Sequence, residues 1–305
     1  MLWLDYILWI VFILLNVAFI TLLERKVLSY SQNRLGPNKL SLMGILQPFS
    51  DAIKLFLKNI STPFSSAKTI YTVSPVAAMM LALMLWSINT HPNKIISSNI
   101  TYMIFLGILS LSVYPPLMAG WVSNSKYAMI GAMRAIAQTI SYEVILTLFL
   151  FMIIFYNLSM NLSPSAKEHM MMMILIINPI LLMVWTMVMM AESNRTPFDF
   201  AEGESELVSG FNTEYSGPLF ALIFMAEYAM IYFMSYFSIT LFFSNSNLYM
   251  MVTASFIYIY IYIWFRATYP RHRYDMLMLK AWKSLLPMML SMLALQMALL
   301  SLIGS

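Results

Sequence analysis

Thirteen Asp and Glu residues serve a chain of 305, and six of them fall in one stretch, 191–215 (AESNRTPFDFAEGESELVSGFNTEY). These are Glu192, Asp199, Glu202, Glu204, Glu206 and Glu214, with Arg195 as the one base among them. Carboxyl groups packed this closely repel one another, and partial burial adds a desolvation cost. Both effects raise their pKa values toward neutrality, and groups tuned that way take up and release protons under working conditions. Two more acids stand inside apolar runs: Glu143 in QTISYEVILTLF and Glu227 in FMAEYAMIYF, beside Tyr228. A carboxylate at a bilayer centre costs about 2.5–3.5 kcal/mol on insertion scales. Glu143 and Glu227 therefore read either as neutral, hydrogen-bonded acids that hold helices together or as protonatable sites. The acidic stretch favours the second reading.

The elements that must position these groups are membrane helices. The chain is 61% hydrophobic and 10% charged, with mean hydropathy +0.76, against roughly 25% charged residues in a soluble domain. Cysteine is absent, which excludes disulfides, thiolate-held iron–sulfur clusters and a cysteine nucleophile. The net charge of +4 sits in loops and speaks to topology and anionic phospholipid rather than nucleic acid. The 30 methionines often stand where Ile or Leu would serve. Most are apolar filler, and their excess suggests a genetic code in which an isoleucine codon reads as methionine, as in animal mitochondria. The first apolar run has neither a basic segment before it nor a small-residue cleavage site after it, and reads as a retained helix.

A helix needs about 20 apolar residues to cross a bilayer. Such runs number eight: 2–23, 70–89, 99–122, 135–156, 170–190, 217–243, 249–268 and 284–303. The expected fold is an all-α integral membrane protein forming a single polytopic domain. With eight spans the loops alternate sides, and 15 of the 17 Lys and Arg residues fall on the side that also carries 191–215. By the positive-inside rule that side faces the cytoplasm or matrix. The double proline Pro115-Pro116 is expected to end regular helix before Trp121.

After the first span, Gly36-Pro37-Asn38 reads as a turn. Beyond it Leu42, Ile45, Leu46, Phe49, Ile53 and Phe56 recur at helical spacing, while Gln47, Asp51, Lys54 and Lys58 fall opposite. This predicts an amphipathic interfacial helix over about 42–58, restarted or kinked at Pro48. An apolar ligand with a polar head could slide between it and the spans, meeting Arg25, Arg34, Arg195, Asp51 or Tyr127. There is no GxGxxG after a strand and no P-loop, no metal-ligand spacing among the three histidines, and nothing that resembles a haem site. Any electrons must come from another subunit.

The segments ERKVLSYSQNRLGPNK, LQPFSDAIKLF, AESNRTPFDFAEGESELVSGFNTEY, FMAEY and RATYPRHRYDMLMLKAWK resemble the NADH dehydrogenase subunit 1 family, the membrane subunit at the joint of respiratory complex I. The likeness runs from about residue 20 to 288, and length and methionine usage favour the mitochondrially encoded animal form. The resemblance implies a multi-pass protein of the mitochondrial inner membrane with its basic and acidic loops toward the matrix. Its partners would be other membrane subunits, the peripheral quinone-site and iron–sulfur subunits, and phospholipid including cardiolipin. Its substrate would be ubiquinone, with no redox centre, metal or nucleotide in this chain. Carried over by position, Glu24, Arg25, Arg34, Asp51, Arg195, Phe224 and Tyr228 would line or guard the quinone channel. Glu143, Glu192, Asp199, Glu202, Glu204, Glu206, Glu214 and Glu227 would form an acidic proton relay. Two positions depart from the family pattern: Asn59, where an acid is usual after KLFLK, and Pro115-Pro116.

Two other readings use the same residues. A stand-alone cation/proton antiporter would use Glu143 and Glu227, but should show inverted repeats and broken helices in corresponding halves, and the sequence has neither. A membrane anchor subunit of a related hydrogenase-type complex would explain the basic loops but not two acids within apolar runs.

Overall fold

The computed structural model describes residues 2–64, 66–88, 100–157, 179–200, 203, 210–242 and 248–303. Glu202, Glu204 and Glu206, and the 170–178 half of the expected fifth span, lie outside these. The regular elements among the described residues are all helices, with no strand among them. The helices are α1 (Leu2–Ser31), α2 (Gln47–Leu57), α3 (Lys68–Ser87), α4 (Thr101–Leu111), α5 (Tyr114–Val122) and α6 (Lys126–Asn157). They continue as α7 (Pro179–Glu192), α8 (Gly217–Phe242), α9 (Leu248–Thr268), α10 (Tyr274–Leu279) and α11 (Leu286–Ile303). Among the described residues seven helical stretches are long and apolar enough to cross a membrane, and one further apolar helix, Ile180–Glu192, is shorter.

Several boundaries differ from expectation. Helix α1 continues past residue 23 through ERKVLSYS, because Glu, Arg, Lys and Leu are good helix formers; Glu24 and Arg25 are thus helical, not loop, residues. Over 42–46 the chain makes a 3-10 turn, Leu42–Gly44, with Met43 at φ 58. Regular helix starts only at Gln47, with Pro48 in its first turn, where a missing N–H costs nothing. The same rule governs Pro115-Pro116. The third span breaks between α4 and α5, before the prolines, and they open α5 rather than ending a helix. The segment up to Val122, Trp121 included, is helical, contrary to the irregular path expected there.

Helix α8 is the centre of the molecule. It packs on α1, α2, α3 and α9, and every residue from Ile231 to Phe242 is buried. A helix apolar on all sides is an interior helix. Its rings pack on those of its neighbours: Trp86 tilted against Tyr232 at 4.6 Å between centroids and Phe105 stacked on Phe237 at 4.3 Å. The polar handles among these rings are satisfied, Trp185 Nε1 donating to Ser238 Oγ at 3.0 Å and Asn16 Nδ2 to the Tyr232 hydroxyl at 3.2 Å. This frame holds both ends of the acidic stretch. Its far end, the 3-10 turn Gly210–Asn212, rests on α6 where two glycines meet; a Cβ on Gly131 would lie 2.8 Å from Gly210 Cα.

Candidate functional site

The acidic stretch begins at the last turn of α7, and its fold follows from how that helix ends. Asn194 adopts φ 49; its N–H bonds to Ala191 O at 3.2 Å, and the Arg195 N–H reaches Met190 O at 3.1 Å. This is a Schellman ending with Asn in the left-handed position. It fixes Glu192 in the final turn and throws Arg195 to the other side. Gln138 of α6, fully buried, holds the next turn: its Nε2 donates to Ala191 O at 2.8 Å and to Phe198 O at 2.7 Å. From the loop after α9, the His272 N–H bonds to Pro197 O at 3.2 Å, and Arg271 pairs with Asp199 at 3.2 Å. The described part of the stretch is therefore folded into the protein, with Phe198, Asp199 and Phe200 buried.

Glu192 and Glu227 line the same cavity, about 110 Å³, between α3, α5, α6 and α8. Pro115, Pro116 and Thr139 complete part of its wall. Glu192 is buried, and its Oε2 and the Oδ1 of Asn194 have no hydrogen-bond partner among the described residues. Buried polar atoms of this kind call for water, and the cavity has room for it. Glu143, on α6, lies within electrostatic range of Glu192. Two of the eight expected relay acids thus face one interior space, and a third, Glu143, lies within electrostatic range of one of them. Asp199 is turned to Arg271, and Glu214 stands apart, its backbone carbonyl accepting the Tyr71 hydroxyl at 2.6 Å.

A second cavity, about 450 Å³, opens between α1, α2 and α8. Its walls are apolar, from Val17, Ala52, Leu55 and Phe224 among others, and its polar edge carries Arg25, Asp51, Lys54 and Lys58. Arg25 Nη1 donates to Asp51 Oδ2 at 2.6 Å, and Gln47 Nε2 to Asp51 Oδ1 at 3.0 Å. Volume and lining suit a small apolar molecule with a few polar contacts. Arg34 and Tyr127 do not line it. Arg34 is exposed and donates to the Gln32 side chain at 2.9 Å, and Tyr127 is exposed.

A third, small cavity of about 20 Å³ is edged by an ionic cluster on α1, α8, α9 and the acidic stretch. Glu24 Oε1 accepts from Arg195 Nη1 at 2.7 Å and also from Arg266 Nη1, and Oε2 accepts the Tyr228 hydroxyl at 2.5 Å. The Arg195 guanidinium also lies over the Tyr228 ring, 4.4 Å from its centroid. Burial alone would lower the Arg195 pKa; the Glu24 carboxylate outweighs it and holds the guanidinium above its ordinary value. Breaking such a pair costs about 3–5 kcal/mol, because a charge is left buried and unpaired. Phe224, in the wall of the larger cavity, packs on Tyr228 at 4.6 Å between centroids.

A sequence profile of the NADH dehydrogenase family matches residues 4–297. The chain belongs to the NADH dehydrogenase family. It is 49% identical over 287 residues to NADH-ubiquinone oxidoreductase chain 1 of Aedes aegypti, covering 93% of this chain and 91% of the relative. The corresponding protein of Zaedyus pichiy is 48% identical over 290 residues, covering 92% and 91%, and that of Sarcophilus harrisii 44% over 296 residues, covering 94% and 93%. In this NADH dehydrogenase chain the sequence reading missed three contributors: Arg266 in the Glu24 cluster, Gln138 as the clamp of the acidic stretch, and the Arg271–His272 pair that holds its middle. Gln138 was visible as a polar residue in an apolar run, and Arg266, Arg271 and His272 stand in the quoted segment RATYPRHRYDMLMLKAWK, though nothing local marks their partners.

Proposed function

We propose that this chain forms the membrane side of the ubiquinone chamber of NADH:ubiquinone oxidoreductase and the start of the acidic path that couples quinone reduction to proton translocation. The chain is a core membrane subunit of that enzyme, complex I. Family membership and the apolar helices support a multi-pass place in the mitochondrial inner membrane. We take the acidic and basic loops to face the matrix, α7 to complete an eighth span through residues 170–178, and α2 to lie in the interface. Other complex I subunits are its partners, and phospholipid including cardiolipin surrounds it.

One observation carries the reading: the larger cavity and the Glu192–Glu227 cavity are walled by the same stretch of helix α8, the first by Phe220, Ala221, Phe224 and Met225 and the second by Ile223, Ala226, Glu227 and Met230. An apolar quinone tail fits walls of Val17, Ala52, Leu55 and Phe224, and the Arg25–Asp51 pair offers donors and acceptors to a polar head. Reduction of the quinone consumes protons and changes local charge. Glu192 and Glu227, facing a space with room for water, with Glu143 in electrostatic range of Glu192, respond by shifting protons. Asp199, Glu202, Glu204, Glu206 and Glu214 extend the acidic set toward the loop.

The test is Ala52→Trp in the assembled complex, which fills the larger cavity. The expected result is a KM for long-tailed quinone raised about tenfold, the equivalent of about 1.4 kcal/mol. NADH oxidation by an artificial acceptor should be unchanged. An unaltered KM with unaltered inhibitor sensitivity would remove the cavity from the quinone path.

A further inference from the structure

The Glu24 cluster is more heavily bonded than a ligand contact requires. Both carboxylate oxygens are taken: Oε1 by Arg195 and Arg266, Oε2 by the Tyr228 hydroxyl. The residue is 5% exposed and is not part of the lining of the larger cavity. It ties together four elements: α1 through Glu24 itself, α8 through Tyr228, α9 through Arg266, and the acidic stretch through Arg195. Two guanidinium groups and one carboxylate leave a surplus positive charge, so without Glu24 the cations would repel and Arg195 would lose its anchor.

What Arg195 anchors is specific. Its own N–H closes the Schellman ending of α7 on Met190 O, three residues from Glu192. The side chain held by Glu24 and the backbone that ends α7 belong to the same residue. We propose that Glu24 is a positioning residue: through Arg195 it fixes the terminal turn of α7 and so holds the Glu192 carboxyl in its cavity, rather than binding the quinone head. Phe224 packing on Tyr228 puts the wall of the larger cavity against this clasp, so a ligand there presses on the group that sets Glu192. The functional consequence rests on the reading of Glu192 as a relay acid; the clasp itself does not.

The experiment is hydrogen exchange on the assembled complex bearing Glu24→Gln, with quinone kinetics and the proton-to-electron ratio measured on the same preparation. The clasp predicts that the Asn194 and Arg195 amides exchange at least about tenfold faster, and that KM for quinone stays within about twofold. The proton-to-electron ratio should fall. Unchanged exchange of 193–200 would overturn the proposal. So would a large rise in KM with exchange unmoved, since that is the mark of a direct quinone contact. Faster exchange with an undiminished ratio would uphold the clasp and strike Glu192 from the relay. Where Glu24→Gln does not accumulate in assembled complex, Tyr228→Phe carries the same test. It removes only the hydroxyl to Oε2, keeps both ion pairs, and should speed the same amides by a smaller factor; their unchanged exchange would again overturn the proposal.

Discussion

Glu192 and Glu227 face one interior space, the first from the last turn of α7 and the second from the middle of α8. They are 35 residues apart in the sequence and come together with the described ends of the acidic stretch both held on α6, by Gln138 and at Gly131. A shared proton path through that space makes their substitutions non-additive. Glu192→Gln and Glu227→Gln should each lower the proton-to-electron ratio, and the double variant should be no worse than the poorer single one. Glu143→Gln should behave alike. Losses that simply add would mean separate paths.

Gln138 is the joint of the acidic stretch. Replacing it with Leu removes one of two donors from each of the carbonyls of Ala191 and Phe198, which keep only the Asn194 and Phe200 N–H groups, at about 0.5–1.5 kcal/mol each. Gln138→Leu should therefore make 191–200 markedly more sensitive to limited proteolysis in the assembled complex, with the span helices unaffected. Unchanged cleavage would show that the other contacts of the stretch suffice.

The Arg25–Asp51 pair should act on binding and not on stability. Its side chains are 45% and 34% exposed, and exposed pairs contribute about 0–1 kcal/mol. Arg25→Ala and Asp51→Ala should assemble and melt like the parent while raising KM for quinone. A lowered melting temperature with an unchanged KM would reverse the assignment.

His272 gives the acidic stretch a pH dependence. Its ring packs on Phe198 at 5.8 Å between centroids. Burial, and then the positive charge of Lys280, hold its pKa below the ordinary 6.5. The neutral form is the one the fold prefers, so the unfolded chain binds the extra proton first. The contribution is complete above pH 6.5 and is lost as pH falls through the lower folded value. Amide exchange around 197–200 should quicken on acidification below 6.5, and His272→Gln should flatten that response.

The sequence displayed the parts of this site better than their pairing. Long apolar runs marked the helices, and the density of acids marked 191–215 as special. Arg195 and Glu24 were both visible as charged residues beside spans. Their bond was not, nor was the part of Arg266, because partners 171 and 242 residues apart leave no local periodicity. Helix α2 shows a subtler gap. Its apolar stripe was plain, yet Ile53 on that stripe is exposed, while Pro48 is buried and Asp51, Ala52, Leu55 and Phe56 line the larger cavity. In a membrane setting an apolar face need not point inward, so the period located the helix without saying which side met the protein. The double proline misled for a related reason: proline stops a helix that precedes it but suits the first turn of one that follows.

The most direct test of the account is photolabelling of the assembled complex with a quinone-headed probe, with and without excess quinone, followed by peptide mapping. The account predicts protectable labelling within 48–58 and 217–228, the α2 and α8 walls of the larger cavity. Protectable labelling confined to other subunits, with this chain present and folded, would contradict it.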